Sequence, residues 1–140
     1  MKTVSIPFTT YDESVSAALD RIGAAAVLAG QTRILLKPNL INADPHPVTT
    51  PADCCEALLR YIRRCSQAAI VIAEGCGTPD MTTGEIFAHL GYTDLARRWG
   101  VDLVDLNTAP LREVSNPGAV RYPIMLLPDI VFTHFRISVP

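Results

Sequence analysis

The chain has 140 residues, 49% of them hydrophobic and only 19% charged, with a formal net charge of −2. That is one domain's worth of sequence, 1–140 read as a single unit, too apolar for intrinsic disorder and without the basic surplus of a nucleic-acid binder. No apolar run reaches the roughly 18 residues of a membrane span, and the opening Met1–Ser5 stretch lacks a signal peptide's apolar core. The sequence therefore reads as cytoplasmic, with neither membrane nor nucleic acid as a partner.

Val4, Ile6 and Phe8 alternate with Ser5 and Pro7, which predicts a short or edge strand. Thr10 and Glu13 match a capping box. Val15, Ala18, Leu19 and Ile22 follow at helical spacing up to Gly23, and Ala24 to Ala29 makes a short further turn. Thr32 to Leu36 is a buried parallel strand by its unbroken apolar run, leading into Lys37-Pro38-Asn39. Pro45 and Pro47 make 40–49 a loop. Thr50 then serves as N-cap with Pro51 at the first helical position, and Cys55, Leu58, Leu59, Ile62 and Cys65 form one buried face. Arg60, Arg63 and Arg64 complement the dipole at that helix's end.

A second buried strand, Ala68 to Ala73, ends at Glu74. Gly75-Cys76-Gly77-Thr78 follows, then a capping box in Thr82 and Glu85, with Ile86, Phe87 and Leu90 on the apolar face and Gly91 as terminator. Thr93 to Trp99 reads as a shorter helix, 101–106 as a third strand, Val114–Val120 as a hairpin around Asn-Pro-Gly, and Ile130-Val131-Phe132 as the start of a last strand. Strand and helix alternate, so the expected class is α/β: a mainly parallel sheet flanked by helices in a Rossmann-like three-layer arrangement, with a small β-hairpin addition.

In such folds ligands bind beyond the carboxyl ends of the strands, where helix N-termini offer free N–H groups. The polar residues gather there: Lys37 and Asn39, then Thr49 and Thr50, then Glu74, Gly75, Gly77 and Thr78, then Asp105 and Asn107. Ten of the twelve basic residues are arginines, and the two lysines are Lys2, at the terminus and expected to be solvated, and Lys37. A lysine at a buried strand end calls for a specific reason. Glu74 reads as general base, as metal ligand, or as the partner that neutralises Lys37. The Gly75-Cys76-Gly77 step carries half of a dinucleotide fingerprint, but Asp80 stands where the third glycine belongs. A tight turn needing positive φ accounts for the two glycines equally well.

The four cysteines form no C-x-x-C pair. Cys54, Cys55 and Cys65 read as buried free thiols. Cys76 reads as a loop thiol of lowered pKa or simply as a small residue in a tight loop. His46 reads as a site residue or as surface, and a metal site from Glu74, His46 and Asp105 is a third reading; no metal ligand is assigned. The face of His134 stays open.

Ile34-Leu35-Leu36-Lys37-Pro38-Asn39-Leu40, Val48-Thr49-Thr50-Pro51 and Ile72-Ala73-Glu74-Gly75 resemble the opening half of the family known as domain of unknown function 362. Pro128-Asp129-Ile130-Val131 and Ile137-Ser138-Val139-Pro140 resemble its later strand and the step after it, so the resemblance covers roughly 30–140. It implies that a Lys-x-Lys-Thr-His stretch and more chain ordinarily follow the Val-Pro step, which makes the expected form half-length or a fragment. Many relatives carry ferredoxin-like cysteine clusters, from which a redox role is inferred; this chain has no such cluster. The resulting expectation is a domain that holds a small anionic ligand or an unspecified cofactor at its strand ends. Lys37 would supply charge, Asn39 and Thr49 orientation, the helix start at Thr50 N–H donors, and Glu74 a base. The alternative is a non-catalytic interaction module that forms a homo-oligomer.

Overall fold

A computed structural model describes residues 3–140; Met1 and Lys2 lie outside the described residues. Four strands, β1 (Arg33–Pro38), β2 (Ala69–Glu74), β3 (Asp102–Asp105) and β6 (Phe135–Val139), form a parallel sheet in the order β3-β2-β1-β6. Helices α1 (Tyr11–Ile22), α2 (Ala24–Ala29), α3 (Ala52–Cys65), α4 (Thr83–His89) and α5 (Tyr92–Trp99) flank it. A separate antiparallel pair, β4 (Leu111–Ser115) and β5 (Ile124–Pro128), and the one-turn helix α6 (Ile130–Thr133) lie between β3 and β6. No helix among the described residues is long and apolar enough to cross a membrane.

The unbroken apolar runs of β1 and β2 follow from their central places in the sheet. Ile34, Leu36, Ile70 and Ile72 join Cys55, Leu59 and Ile62 of α3 in the main core. Leu35 points to the opposite face and is still only 1% exposed. Each such aliphatic contributes about 1.5–3 kcal/mol on burial. The helix ends follow the local chemistry. Thr10 accepts from the Glu13 N–H, Gly23 closes α1 at φ 75°, and Thr82 and Glu85 complete a reciprocal capping box on α4. At α1 only half the box forms, because Glu13 Oε2 takes its bond from the Thr9 hydroxyl instead.

Four expectations are corrected. Val4–Phe8 forms no strand, and Phe8 is 66% exposed, because no neighbouring strand pairs with it. Strand β1 runs on through Lys37 and Pro38, since β6 pairs with both. Pro51, not Thr50, is the N-cap of α3, because the Thr50 hydroxyl is spent elsewhere. Ile130–Phe132 is helical rather than extended: the Phe132 N–H closes a turn on the Asp129 carbonyl, while Arg112 holds the Asp129 carboxylate and stacks over the Phe132 ring. The β4–β5 pair is the expected hairpin, with a turn from Asn116 to Ala119, but its second strand starts later, at Ile124.

Candidate functional site

The carboxyl ends of β1 and β2 bring Lys37 and Glu74 together. Lys37 Nζ lies 2.5 Å from Glu74 Oε2; the glutamate side chain is 7% exposed and the lysine 44%. Oε2 takes no regular hydrogen bond, so the ammonium alone compensates it. Burial raises the Glu74 pKa above the ordinary carboxylate value, and the ammonium and the Gly75 N–H only partly oppose this. The pair is therefore a buried carboxyl group in contact with a half-exposed cation.

Asn39, Thr49 and Thr50 stand in the adjoining loop, where their polar groups are closed onto the chain. The Asn39 amide side chain donates to the Val48 carbonyl at 3.0 Å, and the Thr49 hydroxyl donates to the Asp44 carbonyl at 2.5 Å. Thr50 Oγ1 accepts from the Asn39 N–H at 2.9 Å and donates to the Val139 carbonyl at 2.8 Å, tying the ends of β1 and β6 to the start of α3. These three residues brace the loop that follows Lys37 at the end of β1.

The glycine loop is closed in the same way. The Cys76 N–H donates to Thr83 Oγ1, the Gly77 N–H donates to the Ile41 carbonyl, and Thr78 Oγ1 accepts from the Asp80 N–H. No row of free amides is left to cradle a pyrophosphate. Neither Gly75 nor Gly77 has a positive φ; the reason for glycine is space. A Cβ on Gly75 would lie 2.5 Å from Asn107 Oδ1, and one on Gly77 would lie 2.8 Å from the Ile41 Cδ1 atom.

Asp105 accepts from the Thr83 hydroxyl and the Asn107 N–H, both at 2.9 Å, and the Asn107 side chain donates to the Cys76 carbonyl. Cys76 is closed onto the Met81 carbonyl and the Thr83 hydroxyl. All four cysteines are free, and burial pushes the Cys55 thiol up to about 12. Cys55 is buried; Cys54 and Cys65 are only half-buried.

Among the described residues no three His, Cys, Asp or Glu side chains gather as a metal would need. The structure does not assemble Glu74, His46 and Asp105: His46 is exposed and lines a cleft of about 480 Å³ with Thr49, Thr50, Asp53, Asp94 and Arg98, and neither Glu74 nor Asp105 lines it. His134 sits at the end of α6, its Nδ1 beside the Ile130 carbonyl. Sequence reasoning missed Tyr92, fully buried, whose hydroxyl donates to the Thr50 carbonyl at 2.9 Å. Its placement beside Gly91 gave no sign that it reaches a residue 42 positions away.

The family model for a domain of unknown function (DUF362) matches residues 34–140, most of the chain. The chain belongs to the DUF362 family. No curated protein and no solved structure matches it. The DUF362 region holds the parallel sheet from Ile34 onward, the Lys37–Glu74 pair and the loops around it, while α1 and α2 precede it.

Proposed function

We propose that this DUF362 domain binds a small anionic ligand at Lys37, above the carboxyl ends of β1 and β2. The observation that carries the reading is the asymmetry of the ion pair: Glu74 is sealed in while the Lys37 ammonium stays 44% exposed. An ammonium has three donors, and those not turned to Glu74 suit a phosphate or carboxylate oxygen. The closed bonds of Asn39, Thr49 and Thr50 support a loop already in place before a ligand arrives, which lowers the cost of ordering on binding. With Glu74 ionised the pair is neutral; once Glu74 takes a proton the net charge is +1, so anion affinity rises as pH falls. In this reading the same carboxyl, next to the Lys37 ammonium, serves as general acid or base.

Thermal melting of the full chain with inorganic phosphate, ATP and succinate, each at millimolar concentration, tests this. A ligand at 100 times its Kd stabilises by about 2.7 kcal/mol. At least one of the three is expected to raise the melting temperature, and Lys37→Ala to abolish the rise while still unfolding cooperatively. No rise with any of the three overturns the reading.

A further inference from the structure

Among the described residues strand β6 ends the sheet and pairs with β1 alone, so alternate backbone groups along its outer side meet no strand there. Beside that edge, between the helices and the sheet, opens an apolar groove of about 290 Å³ lined by Leu19, Val27, Phe135 and Ile137, with Leu58 and Ile62 of α3 at its floor. Val27 is 50% and Phe135 36% exposed. A free edge next to open apolar surface is a place where another strand adds.

The chain itself carries a segment of matching chemistry. Residues 3–8, Thr-Val-Ser-Ile-Pro-Phe, alternate apolar and small side chains, bear no charge and form no regular structure. Val4, Ile6 and Phe8 share one parity. If those three turn their backbone groups to β6, Pro7, which has no N–H, faces away from the ladder, the position an outermost strand tolerates. The three apolar side chains then fall on one face together. The charges also agree. Arg136 is the groove's one charged lining residue, and its guanidinium is held by the Val131 carbonyl. An uncharged segment therefore enters without stranding a charge.

Within one chain the segment lies on the wrong side of the helices. Phe8 packs edge-on against Tyr11, ring centroids 5.2 Å apart, in an outer cleft with Asp53, Glu56 and Arg60 of α3. The groove is instead floored by Leu58 and Ile62, which point from the inner side of α3 into the core. We propose that residues 3–8 of one copy add to the β6 edge and groove of a second copy, reciprocally, giving a strand-exchanged homodimer.

Sedimentation of the full chain across a range of concentrations tests this, alongside a variant lacking residues 1–8 and the variant Val27→Asp, an exposed position whose change leaves the core intact. The full chain is expected to form a dimer and each variant a monomer, with unchanged circular dichroism. Mixing the two variants is expected to restore association, because the Val27→Asp chain keeps its segment and the truncated chain keeps its groove. A full chain that stays monomeric, a truncated or Val27→Asp chain that still dimerises, or a mixture that does not associate overturns the proposal.

Discussion

Thr50→Val separates the two roles offered for this residue. The Thr50 hydroxyl is buried, at 4% residue exposure, and joins the Asn39 N–H to the carbonyl of Val139, which lies 89 positions beyond Thr50 in sequence. Valine keeps the shape and removes both bonds. An unsatisfied buried group costs about 1–3 kcal/mol, and since Asn39 and Val139 are half-buried each takes the low end, for a total of about 2–3 kcal/mol. Losing an N-cap alone would cost about 1 kcal/mol. At about 2–4 °C per kcal/mol for a domain of this size, the expected drop in Tm is about 4–12 °C. Urea unfolding of Thr50→Val and Thr50→Ser, with hydrogen exchange at the Asn39 amide, is the assay. Serine should restore most of the loss. A valine cost near 1 kcal/mol with Asn39 protection unchanged would refute the bridging role.

Burial raises the Glu74 pKa, so the folded chain keeps this proton over a window where the unfolded chain has lost it. Stability from this group is therefore greatest below the ordinary carboxylate value and declines as pH rises to the folded value; Glu74→Gln should flatten that slope, and an identical pH profile would contradict it. Gly75→Ala meets the Asn107 side chain at 2.5 Å and its backbone nitrogen at 3.2 Å, whereas Gly77→Ala meets the movable tip of Ile41. Alanine at 75 should thus cost about 1–3 kcal/mol and at 77 less, the reverse order in thermal melts speaking against close packing as the reason for these glycines. Thr82→Ala removes the side-chain half of the capping box on α4 and should cost about 1 kcal/mol in urea unfolding, an unchanged midpoint counting against the cap.

The parallel strands were legible because β1 and β2 are buried on both faces, and a strand covered on both sides needs an unbroken apolar run such as Ile34-Leu35-Leu36. The caps at Thr10 and Thr82 were legible because their partners lie three residues away. What could not be read depends on distant neighbours. Thr50 has the chemistry of an N-cap, and only the approach of β6 diverts its hydroxyl to Val139. Ile130-Val131-Phe132 has strand composition, yet the Arg112–Asp129 pair and the stacking on Phe132 favour a helical turn. The Lys37–Glu74 pairing was readable as one of three options, because both residues end buried runs that become neighbours in a parallel sheet. The bonds that close Asn39 and Thr49 onto their own loop were not, since residue type alone does not say whether a hydroxyl or amide is already occupied.

The scarcity of lysine makes anion binding at Lys37 directly measurable. The sequence holds two lysines, Lys2 and Lys37, so protein labelled with ¹³C at the lysine ε-carbon shows two signals, and Lys37→Arg identifies one of them. The Lys37 signal is expected to shift saturably as inorganic phosphate, ATP or succinate is added at constant pH and ionic strength, more strongly at lower pH. A Lys37 signal that stays still with all three, or moves only in step with that of Lys2, would contradict a binding site there.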